Sequence, residues 1–104
     1  SLNYKQQALT IEADHGKLLL QTQLQNAFQQ YNQNMAQYNY YKSNALPNAE
    51  LMISIAKTTY RSGEIGYIEY LQAMQTASEV KLNYLQSINQ LNQSIININF
   101  LINR

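Results

Sequence analysis

Apolar residues return every three or four positions through most of this chain, which is the period of an α-helix and not of a β-strand. The second half has the cleaner repeat. Its spacing averages 3.5 residues and predicts a helical arm over about 67–103 that packs on a partner helix as in a coiled coil. The repeat positions are Tyr67, Tyr70, Met74, Ala77, Lys81, Tyr84, Ile88, Leu91, Ile95, Ile98 and Ile102.

A similar stripe predicts a first helical arm over about 3–61. Two places allow a break in it. The first is 14–16, which ends in a glycine, and the second is 46–47, where Pro47 removes a backbone donor and crowds the carbonyl of Ser43. The stripe consists of Leu20, Leu24, Phe28, Tyr31, Met35, Tyr38, Ala45, Ala49, Met52 and Ala56.

Between the two arms the chain must reverse, and residues 62–66 are the place for it. Gly63 and Gly66 both lie there, and glycine adopts positive φ without steric cost. The sequence therefore predicts an all-α fold, a single long antiparallel helical hairpin over 1–104 with one tip.

The apolar arc of the second arm is wider than the seam that one partner helix needs. A helix with so broad an apolar arc packs against more than one neighbour. We therefore expect the isolated hairpin to self-associate as a dimer or a higher bundle. The residues that widen the arc are Ile68, Leu71, Leu82, Leu85 and Ile96.

The composition is polar but weakly charged, with 27 Asn and Gln among 104 residues, 12% charged residues and a net charge of +1. Without a basic run, nucleic acid is not an expected partner. Apolar runs are too short for a membrane span, and the absence of cysteine excludes a disulfide framework. Because it starts and stops inside helical pattern without clear caps, the chain is interpreted as an excised segment.

No motif for catalysis is present, so we expect neither an enzyme nor a bound cofactor. His15 has only Glu12 and Asp14 nearby in sequence, a poor ligand set for zinc. The three methionines, Met35, Met52 and Met74, lie on apolar stripes, where methionine ordinarily fills gaps in packing. We therefore predict no metal site.

An ordered set of short motifs over about 40–104 resembles the second periplasmic hairpin of TolC-like outer membrane factors, and most of all their cation-efflux branch. The first forty residues agree with that family only in being helical and rich in Gln. The matching residues are Leu46-Pro47, Ala49, Ala56, Tyr60, Gly63-Glu64-Ile65, Tyr67, Leu71, Ala73, Asn83-Tyr84-Leu85, Leu91 and Asn92.

The resemblance implies a piece of the wall of a trimeric α-helical tunnel, the exit duct of a tripartite efflux pump for cations or small toxic compounds. It places the hairpin in the periplasm, as part of a protein that is anchored in the outer membrane or fused to the pump. The segment itself would not touch a membrane. Its partners would be other copies of the chain, a periplasmic adaptor and an inner-membrane pump.

The resemblance also implies that the hairpin tip docks the adaptor. Glu69 is the single acidic match to a gating network that some relatives carry, since Ile65 and Gln72 depart from that pattern. The implied docking residues are Tyr60, Arg61, Ser62, Gly63, Glu64, Ile65, Gly66 and Tyr67.

Two other functions stay open from the sequence. The hairpin can be a coiled-coil scaffold that assembles through its apolar seams and has no role in transport. It can also be the hairpin of a periplasmic adaptor, a class in which the helices lie between lipoyl-like β segments.

Overall fold

A computed structural model describes residues 2–104. The first arm contains helix α1 (Leu2–Tyr40), a π-helical turn (Tyr41–Ala45) and helix α2 (Leu46–Arg61), and the second arm is helix α3 (Tyr67–Ile102). Both α1 and α2 pack against α3. The predicted all-α hairpin is confirmed: the two arms run antiparallel in a rod of 88 × 21 × 15 Å, and no β-strand occurs within residues 2–104.

The first arm stays helical at both places where the sequence allows a break. Helix α1 passes through Asp14, His15 and Gly16 without interruption. Near Pro47 the irregular feature is the π turn, which the Leu46 amide closes by donating to the carbonyl of Tyr41, five residues earlier. Pro47 itself lies in the first turn of α2, a position that suits its fixed φ.

Small residues form most of the seam, the row of side chains between the two arms. Ala77 is fully buried, and three further alanines and two serines are nearly so. Small side chains let two helix backbones approach closely, but they bury little apolar area. The interior of the hairpin is therefore thin. The buried residues are Ala27, Asn34, Ala49, Ala56, Ala77, Ser87, Leu91, Ser94, Ile98 and Leu101.

The predicted seam of α3 included Ile88, Ile95 and Ile102, but at these three positions the preceding residue is the buried one. Ala77, Leu91 and Ile98 are buried as expected, but Ile95 is 39% exposed and Ile102 is 60% exposed. Their neighbours Ser94 and Leu101 are buried in their place, and Ser87 is buried where Ile88 was expected. The large side chains of Ile95 and Ile102 thus flank the seam instead of filling it.

The first arm extends well beyond the end of the second. Arg104 lies beside Gln23, with 3.5 Å between Arg104 Nη1 and Gln23 Oε1. Residues 3–19 are exposed and have no opposite helix in the described chain. At 1.5 Å per residue, this overhang is about 25 Å long.

Candidate functional site

The tip begins with a complete helix-stop motif at the end of α2. Gly63 has φ +81°, and its amide donates to the carbonyl of Tyr60 at 3.1 Å. The amide of Glu64 donates to the carbonyl of Thr59 at 2.9 Å, which completes the pair of bonds of a Schellman motif. Local backbone chemistry therefore fixes where the chain reverses, as the sequence predicted for Gly63.

Gly66 has a different role from the one expected. Its φ of −83° and ψ of 174° are extended backbone that other residues adopt equally well, and it is the residue that precedes α3. The Tyr70 amide donates to its carbonyl at 3.0 Å, but no side chain caps the first turn of α3. Only Gly63 therefore requires glycine for its conformation.

Aromatic side chains join the two arms at the tip. The ring of Tyr60 stacks on that of Tyr70, with centroids 4.8 Å apart, and lies 6.2 Å from that of Tyr67. Tyr60 ends one arm while Tyr67 and Tyr70 begin the other, so the stack holds the ends of the two helices together. Aromatic pairs at such distances add to the packing between two elements, so the stack stabilises the tip.

The outer surface of the tip carries both signs of charge. Arg61 and Glu64 are exposed, on either side of Gly63. Ser62 is exposed as well, and its hydroxyl donates to the Thr59 carbonyl at 3.0 Å. Of the predicted docking residues, only Ile65 is half-buried, and the others are exposed to a partner.

Ile65 connects the tip to an apolar groove between α2 and α3, which sequence reasoning missed. The groove has a volume of about 600 Å³, and Glu69, the candidate gate residue, is its one charged side chain. The lining residues are Asn48, Leu51, Met52, Ile55, Ala56, Thr59, Ile65, Glu69 and Ala73.

The content of Asn and Gln falls in the same region, and this change in the sequence could have indicated the apolar groove. None of the 27 Asn and Gln residues lies between Asn48 and Gln72. Farther from the tip, by contrast, amide side chains line the groove between α1 and α3. The amide residues are Gln30, Gln33, Asn34, Gln37, Asn89, Gln90, Gln93 and Asn97, and Ser94 completes the lining. The tip half thus offers an apolar surface, whereas the other half offers a neutral polar one.

An aromatic contact lies beside the π turn, where α1 and α3 meet. The rings of Tyr38 and Tyr84 stack with centroids 6.0 Å apart, and Lys42 Nζ lies 5.8 Å from the Tyr38 centroid. Desolvation, followed by interaction with Tyr38, raises the pKa of the Tyr84 phenol above its ordinary value of 10.0. This contact is part of the packing between the arms and lies far along the chain from the tip.

The described residues offer no cluster for a metal ion. No group of three or more His, Cys, Asp or Glu side chains comes together within residues 2–104. Met35 and Met74 are half-buried, and Met52 lines the apolar groove. Within the described helices, none combines the length and hydropathy that a membrane span requires.

Comparison with known proteins returns no match: no protein-family model fits the chain, and neither a curated protein nor a solved structure is significantly similar to it.

Proposed function

We propose that this chain is a wall segment and docking tip of a periplasmic efflux duct, in which copies of the hairpin pack side by side and the tip binds an adaptor. It does no chemistry and holds no cofactor in this role. The observation that carries the proposal is the tip: a braced reversal with exposed charges that leads through Ile65 into an apolar groove.

The accessible surface supports assembly with other copies. The chain exposes 8059 Å², whereas a compact monomer of 12.0 kDa exposes about 6,000 Å². A stable interface covers about 800 Å² on each partner, so the difference leaves room for neighbours on two sides. The flanks of α3 carry large apolar side chains that such neighbours would cover, among them Leu82, Leu85, Ile95 and Ile96.

The amide-lined groove between α1 and α3 is consistent with a duct wall in which this face of the hairpin is in contact with water. Amide side chains form hydrogen bonds with water and carry no net charge. A duct wall needs apolar flanks for its neighbours and a polar face for its aqueous side. The hairpin offers both.

Photocrosslinking in the native host tests the proposal. A probe at Glu64 reports on the tip, and a probe at Gln86, exposed on α3, is the matched control. We expect a crosslink from position 64, and not from position 86, to a periplasmic adaptor. Crosslinks from both positions to copies of the same chain alone would contradict docking.

The same exposed aliphatic flanks also favour a second candidate, a coiled-coil scaffold without a transport role. Such a scaffold needs the seam and the flanks but no particular tip. Charge reversal at Arg61 together with Glu64 separates the two functions. Because both side chains are exposed, the hairpin should still fold and assemble. Only a docking hairpin would then lose its function.

A further inference from the structure

Helix α3 keeps one seven-residue repeat along the seam. Ser87, Ser94 and Leu101 are buried seven residues apart. Leu91 and Ile98 form a second row with the same step, and the buried Ala77 continues that row toward the tip, two steps before Leu91. This helix therefore presents an uninterrupted coiled-coil seam to the first arm.

The first arm does not keep that repeat. Ala27 and Asn34 are buried seven residues apart, and so are Ala49 and Ala56. From Asn34 to Ala49, however, the distance is 15 residues, one more than two heptads. In a regular α-helix, one extra residue turns everything after it by about 100°.

The π turn lies inside this interval, at Tyr41–Ala45. Its bond from the Leu46 amide to the Tyr41 carbonyl closes a turn with one residue more than an α-helical turn contains. We propose that the π turn is a phase correction: it absorbs one surplus residue, so that two out-of-step seams on α1 and α2 both face α3.

The correction decides what the tip half presents to its surroundings. If the first arm continued as a regular α-helix from Asn34, the seam positions would fall on Asn48 and Ile55 instead of on Ala49 and Ala56. With the π turn, Ile55 lies in the apolar groove and is 54% exposed, while Ala56 is 4% exposed. The groove beside Ile65 thus depends on the π turn, whether the hairpin belongs to a duct or to a scaffold.

Pro47 is the competing cause, because a proline ring disturbs the turn before it. The two causes predict different outcomes for deletions. If the π turn holds a surplus residue, removing Ser43 converts it to an α-helical turn and leaves both seams in place. Removing Gln29, an equally exposed residue between Ala27 and Asn34, destroys the heptad step instead.

The experiment measures the midpoint of thermal unfolding for the whole chain and for three variants, each of which lacks one residue: Ser43, Asn44 or Gln29. We expect the midpoint to stay within about 5 °C for the first two deletions and to fall by at least about 10 °C for the third. A loss on deleting Ser43 or Asn44 as large as that on deleting Gln29 would overturn the inference.

Cysteine labelling reads the phase directly, because the chain has no cysteine of its own. In the parent, Ile55→Cys should react with a thiol reagent at least about tenfold faster than Ala56→Cys. The same order should hold after deletion of Ser43 and after Pro47→Ala. Faster labelling at position 56 than at position 55 in either background would overturn the inference. It would show that the seam residues do not determine which side of α2 faces α3.

Discussion

Asn34 and Ser94 meet in the seam between α1 and α3, where Asn34 Nδ2 donates a hydrogen bond to Ser94 Oγ. The two residues are 60 positions apart in the chain, and both are buried. Asn34 Nδ2 also donates to the Gln90 carbonyl at 3.1 Å, and Ser94 Oγ donates to the same carbonyl at 3.0 Å. A buried polar contact of this kind selects one register, because sliding the arms by a heptad separates its members.

We therefore predict that Asn34 and Ser94 are energetically coupled. Asn34→Ala should lower the free energy of unfolding by about 1–2 kcal/mol, because it removes two inter-arm hydrogen bonds. Urea denaturation of both single variants and the double variant measures the coupling, which should be about 0.5–1.5 kcal/mol. Asn32→Ala, on the exposed face of α1, is the matched control and should change stability by less than about 0.5 kcal/mol. Strictly additive losses would argue against the contact.

The two tip glycines should respond in opposite ways to substitution. Gly63→Ala forces a side chain into positive φ and should cost about 1–2 kcal/mol of stability. Gly66→Ser should leave stability unchanged or raise it by a few tenths, about 0.3 kcal/mol, because a serine hydroxyl can cap α3 and its Cβ meets nothing within 4 Å. Chemical denaturation compares them. Equal losses at both positions would show that the tip needs two glycines after all.

The contact between Tyr38 and Tyr84 predicts a loss of stability at alkaline pH. Because the pKa of Tyr84 is raised in the folded chain, the unfolded chain loses this proton first. The contribution to stability is therefore fully present below about pH 10 and is lost as pH rises through the folded pKa. Tyr84→Phe should have a flatter stability profile above pH 10 than the parent, measured by urea denaturation. Tyr4→Phe, in the overhang, is the control and should retain the parent profile.

The overhang should be the least protected part of the structure. Residues 3–19 have no opposite helix within the described residues 2–104, and isolated helices of this length are marginal in water. Their amides should exchange with deuterium much faster than those of α3 between Ser87 and Leu101. Gly16→Ala should increase helical content by circular dichroism, since alanine favours helix by about 1 kcal/mol, without raising the midpoint of hairpin unfolding. A higher midpoint would mean that the overhang unfolds together with the hairpin.

Local patterns in the sequence determined the architecture. Long stretches with a 3.5-residue apolar repeat predict two helices, and a single glycine-bearing interval predicts one reversal. Gly63 stops α2 through its own backbone and the carbonyls of Thr59 and Tyr60, so no distant residue was needed to locate the tip. The period of a helix and the place where it ends both depend on residues that are close in the sequence. Both can therefore be predicted from a single sequence.

Tertiary structure decided which side of each helix became the seam. At the adjacent positions 101 and 102 both side chains are large and apolar, and only the approach of α1 buries Leu101 and leaves Ile102 exposed. The same holds for Ser94 against Ile95, where the smaller residue is buried in a hydrogen-bonded contact with Asn34 on the other arm. The apolar groove and the π turn follow from that choice. The apolar repeat of one helix predicts its seam positions to within one residue. The packing of the partner helix then decides which of two adjacent residues is buried.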